Sequence, residues 1–207
     1  MDVNQNIVKF NGKEPFNDYI KLALIHKDAI NEGFLSTMDS RLLAELYKTL
    51  ARSRYGSLFV STDEKNTIVA FIAISYSTSS FYKEFFLKKA ILLAPYLLRK
   101  LISINFIIKL FETIFYPFKR SKNTKYDIDS EILNFCVDEK YRGTGIGKVL
   151  FKFAKIDFCN NKIKQIKIVT GENQRSAQIF YEKIGAKLIG DIEIHKNSKS
   201  FVYKYKF

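Results

Sequence analysis

The sequence contains no tryptophan, and among its 207 residues it has only two cysteines, two histidines and three prolines. Cys136 and Cys159 match no CxxC metal or redox pattern, and His26 and His195 lie too far apart in the chain to argue for a zinc site. We therefore expect no metal cofactor. The scarcity of proline leaves little room for a disordered linker, and 47% hydrophobic with 27% charged residues is the composition of a folded globular protein.

The start of the chain, MDVNQNIVKF, lacks the basic residues followed by an apolar core that mark a secretory signal. We therefore expect a cytoplasmic protein. A length of 207 residues fits one domain with a sizeable core, so we interpret residues 1–207 as a single domain.

Positive charge is concentrated in one segment. The net charge is +13, and residues 81–125 supply +8 of it, with ten basic side chains against two acidic ones. The remaining +5 is compatible with an enzyme that binds a polyanionic cofactor. Nucleic acid is a weaker interpretation, because no recognised nucleic-acid-binding module is present.

Hydrophobic periodicity predicts the order of strands and helices along the chain. Strands are expected at 7–10, 57–62, 67–76, 131–137, 165–170, 187–195 and 200–207, and helices at 16–31, from a cap at Thr37 or Asp39 to about 52, at 145–160 and at 174–184. The strands at 57–62 and 67–76 are predicted to form an antiparallel hairpin around the polar turn DEKN. The helix at 145–160 has a predicted apolar face of Ile146, Val149, Leu150, Phe153 and Ala154.

The stretch YRGTGIGKVL places glycines at the alternate positions 143, 145 and 147, between the strand-like run EILNFCV and a helix-like run. Glycines at such a junction let the backbone approach a ligand closely. The first N–H groups of the helix then point at the ligand and attract anions. The stretch therefore predicts a phosphate-binding loop.

Two well-known phosphate loops fit this stretch poorly. A Walker loop, GxxxxGK[ST], needs glycine at Arg142 and serine or threonine at Val149. The dinucleotide fingerprint GxGxxG begins with Gly143 and Gly145, but its third glycine falls on Lys148. ATP hydrolysis and NAD binding are therefore disfavoured.

A third loop pattern, [RQ]xxGx[GA], is met by Arg142, Gly145 and Gly147. Downstream, TGENQRSAQIFYEKIGAKL matches NxxAxxFYxKxGF at Ala177, Phe180, Tyr181, Lys183 and Gly185. Together the two stretches resemble the GCN5-related N-acetyltransferases, the GNAT family. The resemblance implies an α/β (α+β) GNAT fold, with a mixed central sheet of about six or seven strands flanked by helices. Residues 81–125 are then a helical insertion between the third and fourth strands.

The resemblance implies acetyl-CoA as the cosubstrate, with no metal. In this family the acyl-pantetheine arm of acetyl-CoA enters between two strands, here those predicted at 131–137 and 165–170. The arm pairs with backbone groups of the strands. Gln174 stands where the family usually has asparagine, and Asn173 lies one place upstream, so either amide is a candidate ligand. The cofactor-binding candidates are Phe135, Cys136, Val137, Arg142, Gly143, Thr144, Gly145, Ile146, Gly147, Lys148, Asn173, Gln174, Phe180 and Lys183.

Acetyl transfer to an amine needs few protein groups, because a primary amine attacks the thioester directly once it has lost its proton. By resemblance, Tyr181 is the candidate acid for the leaving thiolate. Glu131, six residues before Val137, is the candidate base. The alternative for Glu131 is an edge carboxylate at the start of a strand. A base may also act through water.

The predicted function is acetyl transfer from acetyl-CoA to a primary amine, with an amino sugar or another small amine as the favoured acceptor. A peptide N-terminus and a lysine side chain remain open. The alternative is a catalytically degenerate protein that binds acyl-CoA as a sensor or scaffold.

The insertion at 81–125 is predicted to form two helices, separated at Pro95, that border the acceptor side of the active site. A broad apolar surface in the second helix needs a partner. The protein's own core is the first choice, a homodimer contact the second, and peripheral docking on an anionic membrane the third. Arg99, Lys100 and Lys109 interrupt the apolar run, which disfavours a membrane-spanning helix.

Overall fold

The computed structural model describes residues 6–30, 35–100, 127–195 and 198–207. These ranges contain seven strands and five α-helices. In chain order they are β1 (Asn6–Phe10), α1 (Phe16–Ala29), α2 (Ser40–Arg52), β2 (Gly56–Thr62), β3 (Ile68–Ser75), α3 (Thr78–Lys100), β4 (Glu131–Val137), α4 (Ile146–Asn160), β5 (Gln165–Gly171), α5 (Arg175–Lys183), β6 (Lys187–His195) and β7 (Ser198–Lys206). Short 3₁₀ turns occupy Leu35–Thr37 and Glu139–Tyr141.

The first of two compact units comprises Met1–Tyr76 and Ile132–Ile163. Its strands lie in the order β1, β2, β3, β4, and β2 pairs antiparallel with both β1 and β3. The predicted hairpin is therefore confirmed. Its core is rich in aromatic and leucine side chains, and the largest fully buried members are Tyr19, Tyr47, Phe71, Phe158, Leu22, Leu43, Leu50, Leu58 and Ile72.

The second unit comprises Ser77–Glu131 and Lys164–Phe207. Its strands lie in the order β5, β7, β6, and β7 pairs antiparallel with both neighbours. Tyr203 of β7 and Phe81 and Phe85 of α3 are fully buried in this unit. The last two predicted strands therefore form the hairpin expected at the end of the chain.

The helix and strand boundaries follow the sequence closely. β4 and β6 begin and end at the predicted residues. Helix α2 begins after Asp39, whose carboxylate accepts a hydrogen bond of 2.8 Å from the backbone N–H of Arg41. This contact satisfies one of the unpaired amides of the first helical turn, and it decides for Asp39 against Thr37 as the cap.

The buried face of α4 differs from the prediction. Ile146, Leu150 and Ala154 are buried as expected, but Val149 and Phe153 are each more than a third exposed. Their predicted places in the core are taken by Phe151 and Phe158. The helix is apolar around most of its circumference, so periodicity alone left the direction of its buried face ambiguous.

Helix α3 runs without a break from Thr78 to Lys100 and includes Pro95, so the predicted separation of two helices at this proline is wrong. A proline inside a helix costs about 3 kcal/mol, because it removes an N–H donor and its ring clashes with the preceding turn.

The remainder of the insertion, residues 101–125, lies outside the described residues, so its second helix and its position beside the acceptor stay predictions. The single-domain interpretation of residues 1–207 also stays a prediction. No helix within the described part of the chain is long and apolar enough to cross a membrane.

Candidate active site

The chain leaves β4 through a turn that is fixed by three hydrogen bonds. The backbone N–H of Asp138 donates to the carbonyl of Val69 in β3 at 2.8 Å, and the Asp138 carboxylate accepts from the N–H of Lys140 at 3.0 Å. Tyr141 then donates its phenol proton to the carboxylate of Asp63, at the tip of the β2–β3 hairpin, at 2.9 Å. The entrance to the glycine loop is therefore tied to β3 and to the hairpin.

Within the loop, Gly143 and Gly145 have left-handed φ angles of 80° and 91°. A Cβ atom added at either position would meet no atom within 4 Å, so open space lies beside both glycines. Gly145 is the N-cap of α4, and its carbonyl accepts from the N–H of Lys148 at 2.9 Å. The amides of Ile146 and Gly147 precede the first intrahelical bond and face outward from the helix end.

Two side chains of the loop hold its shape. Arg142 donates from Nε to the carbonyl of Val137 at 3.2 Å, which folds the guanidinium back over the end of β4. Thr144 donates its hydroxyl proton to the carbonyl of Tyr141 at 2.7 Å. Arg142 and Lys148 are exposed. A helix N-terminus with outward amides, open space beside two glycines and two exposed cations fits a diphosphate group.

The end of β4 carries the three residues predicted to pair with the acyl-pantetheine arm. Phe135 and Val137 are half-buried, whereas Cys136 points into the core. Burial raises the pKa of the Cys136 thiol well above its usual range. A thiol attacks as its thiolate, which burial disfavours, so the role predicted for Cys136 is assigned to its backbone.

At the start of β4, in the second unit, Glu131 is only 6% exposed. Its Oε2 lies 3.4 Å from Nζ of Lys167 in β5, and Lys167 is itself only 8% exposed. Burial raises the pKa of the Glu131 carboxyl, and the ammonium group of Lys167 opposes the rise. The charge of Asp129 acts in the same direction as burial.

Asp129 joins the segment before β4 to the start of α3. Its carboxylate accepts hydrogen bonds from the Ser77 hydroxyl at 2.5 Å and from the backbone N–H and hydroxyl of Ser79 at 2.9 and 2.8 Å. Its carbonyl accepts from the N–H of Thr78 at 2.9 Å. These bonds satisfy the first amides of α3 and fix the chain two residues before Glu131.

The turn between β5 and α5 is held by two glutamine side chains. Gln174 accepts a hydrogen bond from the Gly171 N–H at 3.2 Å, and Gln178 donates to the carbonyls of Gly171 and Glu172 at 3.0 and 2.9 Å. The oxygen of the Gln174 side chain is therefore used within the turn. Asn173, one residue upstream, is exposed.

Tyr181 lies on α5 and is 5% exposed. Its ring makes an edge contact with Phe180 at 5.5 Å and a tilted contact with Tyr203 at 6.5 Å, measured between ring centroids. Lys183, in the last turn of α5, is exposed. The aromatic neighbours fix the orientation of the Tyr181 ring, so replacing its hydroxyl alone should leave the packing intact.

The acetyltransferase (GNAT) domain family matches residues 115–185, which include β4, the glycine loop, α4, β5 and α5. This stretch of the chain therefore matches the GNAT acetyltransferase domain. Solved structures of GNAT acetyltransferases share the fold. A GNAT-family acetyltransferase from Staphylococcus aureus Mu50 covers 98% of both chains at 17% identity, with a TM-score of 0.58.

Two other GNAT-like structures contain bound molecules. Arabidopsis thaliana NAA60, in complex with a bisubstrate analogue, covers 98% of both chains at 13% identity, with a TM-score of 0.61. The PaiA N-acetyltransferase from Thermoplasma acidophilum, in complex with coenzyme A, covers 98% of this chain and 99% of its own at 12% identity, with a TM-score of 0.55. At these identities the likeness concerns the fold alone. No curated protein matches the chain.

The GNAT site residues predicted from the sequence form two groups. Arg142 to Lys148 lie together in the loop and first turn of α4, in the first unit, with Phe135 to Val137 at the end of β4 before them. The other group lies on and before α5, in the second unit, and consists of Asn173, Gln174, Phe180, Tyr181 and Lys183.

Lys167 is a candidate functional residue of the GNAT chain that the sequence predictions did not include. It lies inside the apolar strand QIKIVTG. A buried charge is costly unless it is paired with an opposite one, so a lysine within an apolar strand indicates a buried carboxylate partner. That signal was present in the sequence, but it does not say which carboxylate is the partner.

Proposed function

We propose that this GNAT protein transfers the acetyl group of acetyl-CoA to a primary amine by direct attack of the amine on the thioester. The observation that carries the proposal is the glycine loop. Gly143 and Gly145 hold left-handed conformations beside open space at the N-terminus of α4, as close approach of a diphosphate requires. An ordinary turn would not need two such positions at a helix start.

In this proposal the amides from Gly143 to Gly147 bind the diphosphate of acetyl-CoA, and the side chains of Arg142 and Lys148 contribute positive charge. The backbone of Phe135 to Val137 pairs with the pantetheine arm and holds the thioester carbonyl. Asn173 and Gln174 both stay candidates for the amide that contacts the cofactor.

The chemistry assigned to the protein consists of two proton movements. Glu131 accepts a proton from the acceptor amine, directly or through a water molecule, and the amine nitrogen then forms a bond to the acetyl carbon. The carbon–sulfur bond breaks, and Tyr181 donates a proton to the leaving thiolate and regains one from solvent. Acetyl-CoA itself supplies the activated acyl group.

The favoured acceptor is a small amine such as an amino sugar, and peptide N-termini and lysine side chains are the competing acceptors. The test is release of free coenzyme A thiol from acetyl-CoA in the presence of each class of amine. Amine-dependent thiol release supports the proposal. Tight binding of acetyl-CoA without thiol release for any class would support the alternative, an acyl-CoA-binding sensor or scaffold.

A further inference from the structure

We propose that Lys167 is a positioning residue that keeps Glu131 ionised and leaves its Oε2 atom available to receive the proton of the acceptor amine. The proposal rests on the acetyl-transfer function proposed above. It adds a residue of β5 to the predicted machinery and gives that residue a definite task.

The two side chains are brought together by the backbone. The N–H of Lys167 donates to the carbonyl of Ser130 at 2.9 Å, one residue before Glu131. This bond sets the register that places Nζ of Lys167 at 3.4 Å from Oε2 of Glu131. Both residues are more than nine-tenths buried, so the pair is protected from the screening that weakens exposed ion pairs.

The separation of the two charged groups fits an electrostatic role. Charge-assisted N–H···O bonds have lengths of about 2.7–2.9 Å, so 3.4 Å is close enough for strong attraction but too long for such a bond. Oε2 of Glu131 faces Nζ of Lys167 and makes no hydrogen bond of ordinary geometry with the described residues. A carboxylate oxygen carries two lone pairs, so an oxygen that is held by an ion pair can still accept a proton.

Other groups around Glu131 favour its protonated form, and Lys167 opposes them. Desolvation and the charge of Asp129 both raise the pKa of the Glu131 carboxyl, and Asp129 itself is held by Ser77 and Ser79. Thr78, at the start of α3, is uncharged, and its hydroxyl also lowers the pKa of Glu131. Lys167 is therefore the only cation that opposes protonation of Glu131 among the groups that shift its pKa.

Ionisation of Glu131 matters because a protonated carboxyl cannot act as a base. In the transfer step, Glu131 takes one proton from the ammonium form of the acceptor, and the freed electron pair forms the bond to the acetyl carbon. The second surplus proton of the nitrogen passes to solvent as the carbon–sulfur bond breaks. Glu131 releases that proton to solvent after the acetylated product leaves. A nearby ammonium group favours this release, because it stabilises the carboxylate more than the neutral acid.

The direct test is a titration of the Glu131 carboxyl carbon by NMR in protein labelled with ¹³C-glutamate, with the Glu131→Gln variant identifying the resonance. Lys167→Met should raise the pKa of Glu131 by about one to three units, the usual effect of losing an opposite charge. Lys167→Arg, which keeps the charge, should leave the pKa close to that of the wild type. An unchanged pKa in Lys167→Met overturns the proposal.

Stability gives a second readout that needs no acceptor. The pKa of Glu131 in the native state should be higher in Lys167→Met than in the wild type. Between these two pKa values, the melting temperature of Lys167→Met should therefore fall relative to that of the wild type as pH rises. At lower pH the Glu131 carboxyl is protonated in both proteins, and the difference between their melting temperatures should be small. A difference that does not vary with pH contradicts the proposal. Should Lys167→Met not fold, Lys167→Gln, which is also uncharged, replaces it in both measurements.

Calorimetry with acetyl-CoA separates this proposal from the proposed function. The wild type and Lys167→Met should bind acetyl-CoA with similar affinity, since Lys167 is not assigned to the cofactor. Absence of binding to the wild type would refute the acetyl-transfer function. Normal binding together with an unchanged Glu131 pKa in Lys167→Met would refute only the role of Lys167.

Discussion

The phenol of Tyr141 donates a 2.9 Å hydrogen bond to the carboxylate of Asp63, and this bond connects the β2–β3 hairpin to the start of the glycine loop. Asp63 also accepts from the backbone N–H groups of Lys65 and Thr67 within its own turn, at 3.0 and 2.8 Å. These bonds keep the pKa of Asp63 low, so the carboxylate is charged at neutral pH. The loop therefore begins at a fixed point of the first unit.

Tyr141→Phe should weaken acetyl-CoA binding a few-fold, because the loop loses one of its anchors but keeps its glycines and its capping residue. Calorimetric titration of acetyl-CoA measures the effect. Tyr55→Phe is the matched control, since it removes a hydroxyl that accepts from Arg54 outside the loop. Equal affinities for the two variants would mean that the Asp63 contact does not position the loop.

Tyr181→Phe should lower turnover by about a hundredfold to ten-thousandfold, the usual contribution of a general acid. Its affinity for acetyl-CoA should change little, because the ring keeps its contacts with Phe180 and Tyr203. Steady-state rates of thiol release with a saturating amine test this split between rate and binding. A wild-type rate under conditions where the chemical step is limiting would rule out Tyr181 as the acid.

Glu131→Gln should reduce the rate at neutral pH, and the loss should shrink as pH rises. Free amine becomes abundant at high pH without help from a base. In the wild type, the rate should fall as pH drops through the pKa of Glu131, which burial holds above the ordinary glutamate value. A loss that stays constant across the pH–rate profile would instead assign Glu131 a role in binding.

Phe81→Ala should destabilise the protein by about 3–5 kcal/mol, because the ring is 0% exposed and its removal leaves a cavity. Leu87→Ala lies on the same helix, where the side chain is 73% exposed, and should change stability by less than about 0.5 kcal/mol. Denaturant unfolding of both variants measures the difference. A small effect at Phe81 would show that the start of α3 does not belong to the core.

The order of elements was predictable because each has a local signal. Asp39 caps α2, Gly145 marks the start of α4, and the DEKN turn joins β2 to β3. The break expected at Pro95 was wrong, because a proline disfavours a helix without always ending it. Local signals therefore gave the elements and most of their ends, but a local preference alone did not decide every boundary.

The glycine loop and the Tyr181 segment were found as patterns, since their residues are close together in the sequence. Lys167 could not be assigned in this way. Its partner Glu131 lies 36 positions away, and only the pairing of backbone groups at Ser130 and Lys167 brings the two charges together. The same holds for Asp63 and Tyr141, 78 positions apart in the chain.

Calorimetric titration of acetyl-CoA into the wild type and Gly145→Glu tests the central claim most directly. A glutamate at position 145 meets no neighbouring atom at its Cβ, so the fold should survive with a strain of about 1–2 kcal/mol at its left-handed φ. Gly185→Glu adds the same charge at a φ of 97° outside the loop, and serves as the matched control. The account predicts binding by the wild type and Gly185→Glu and none by Gly145→Glu. Equal affinities for all three proteins would contradict it.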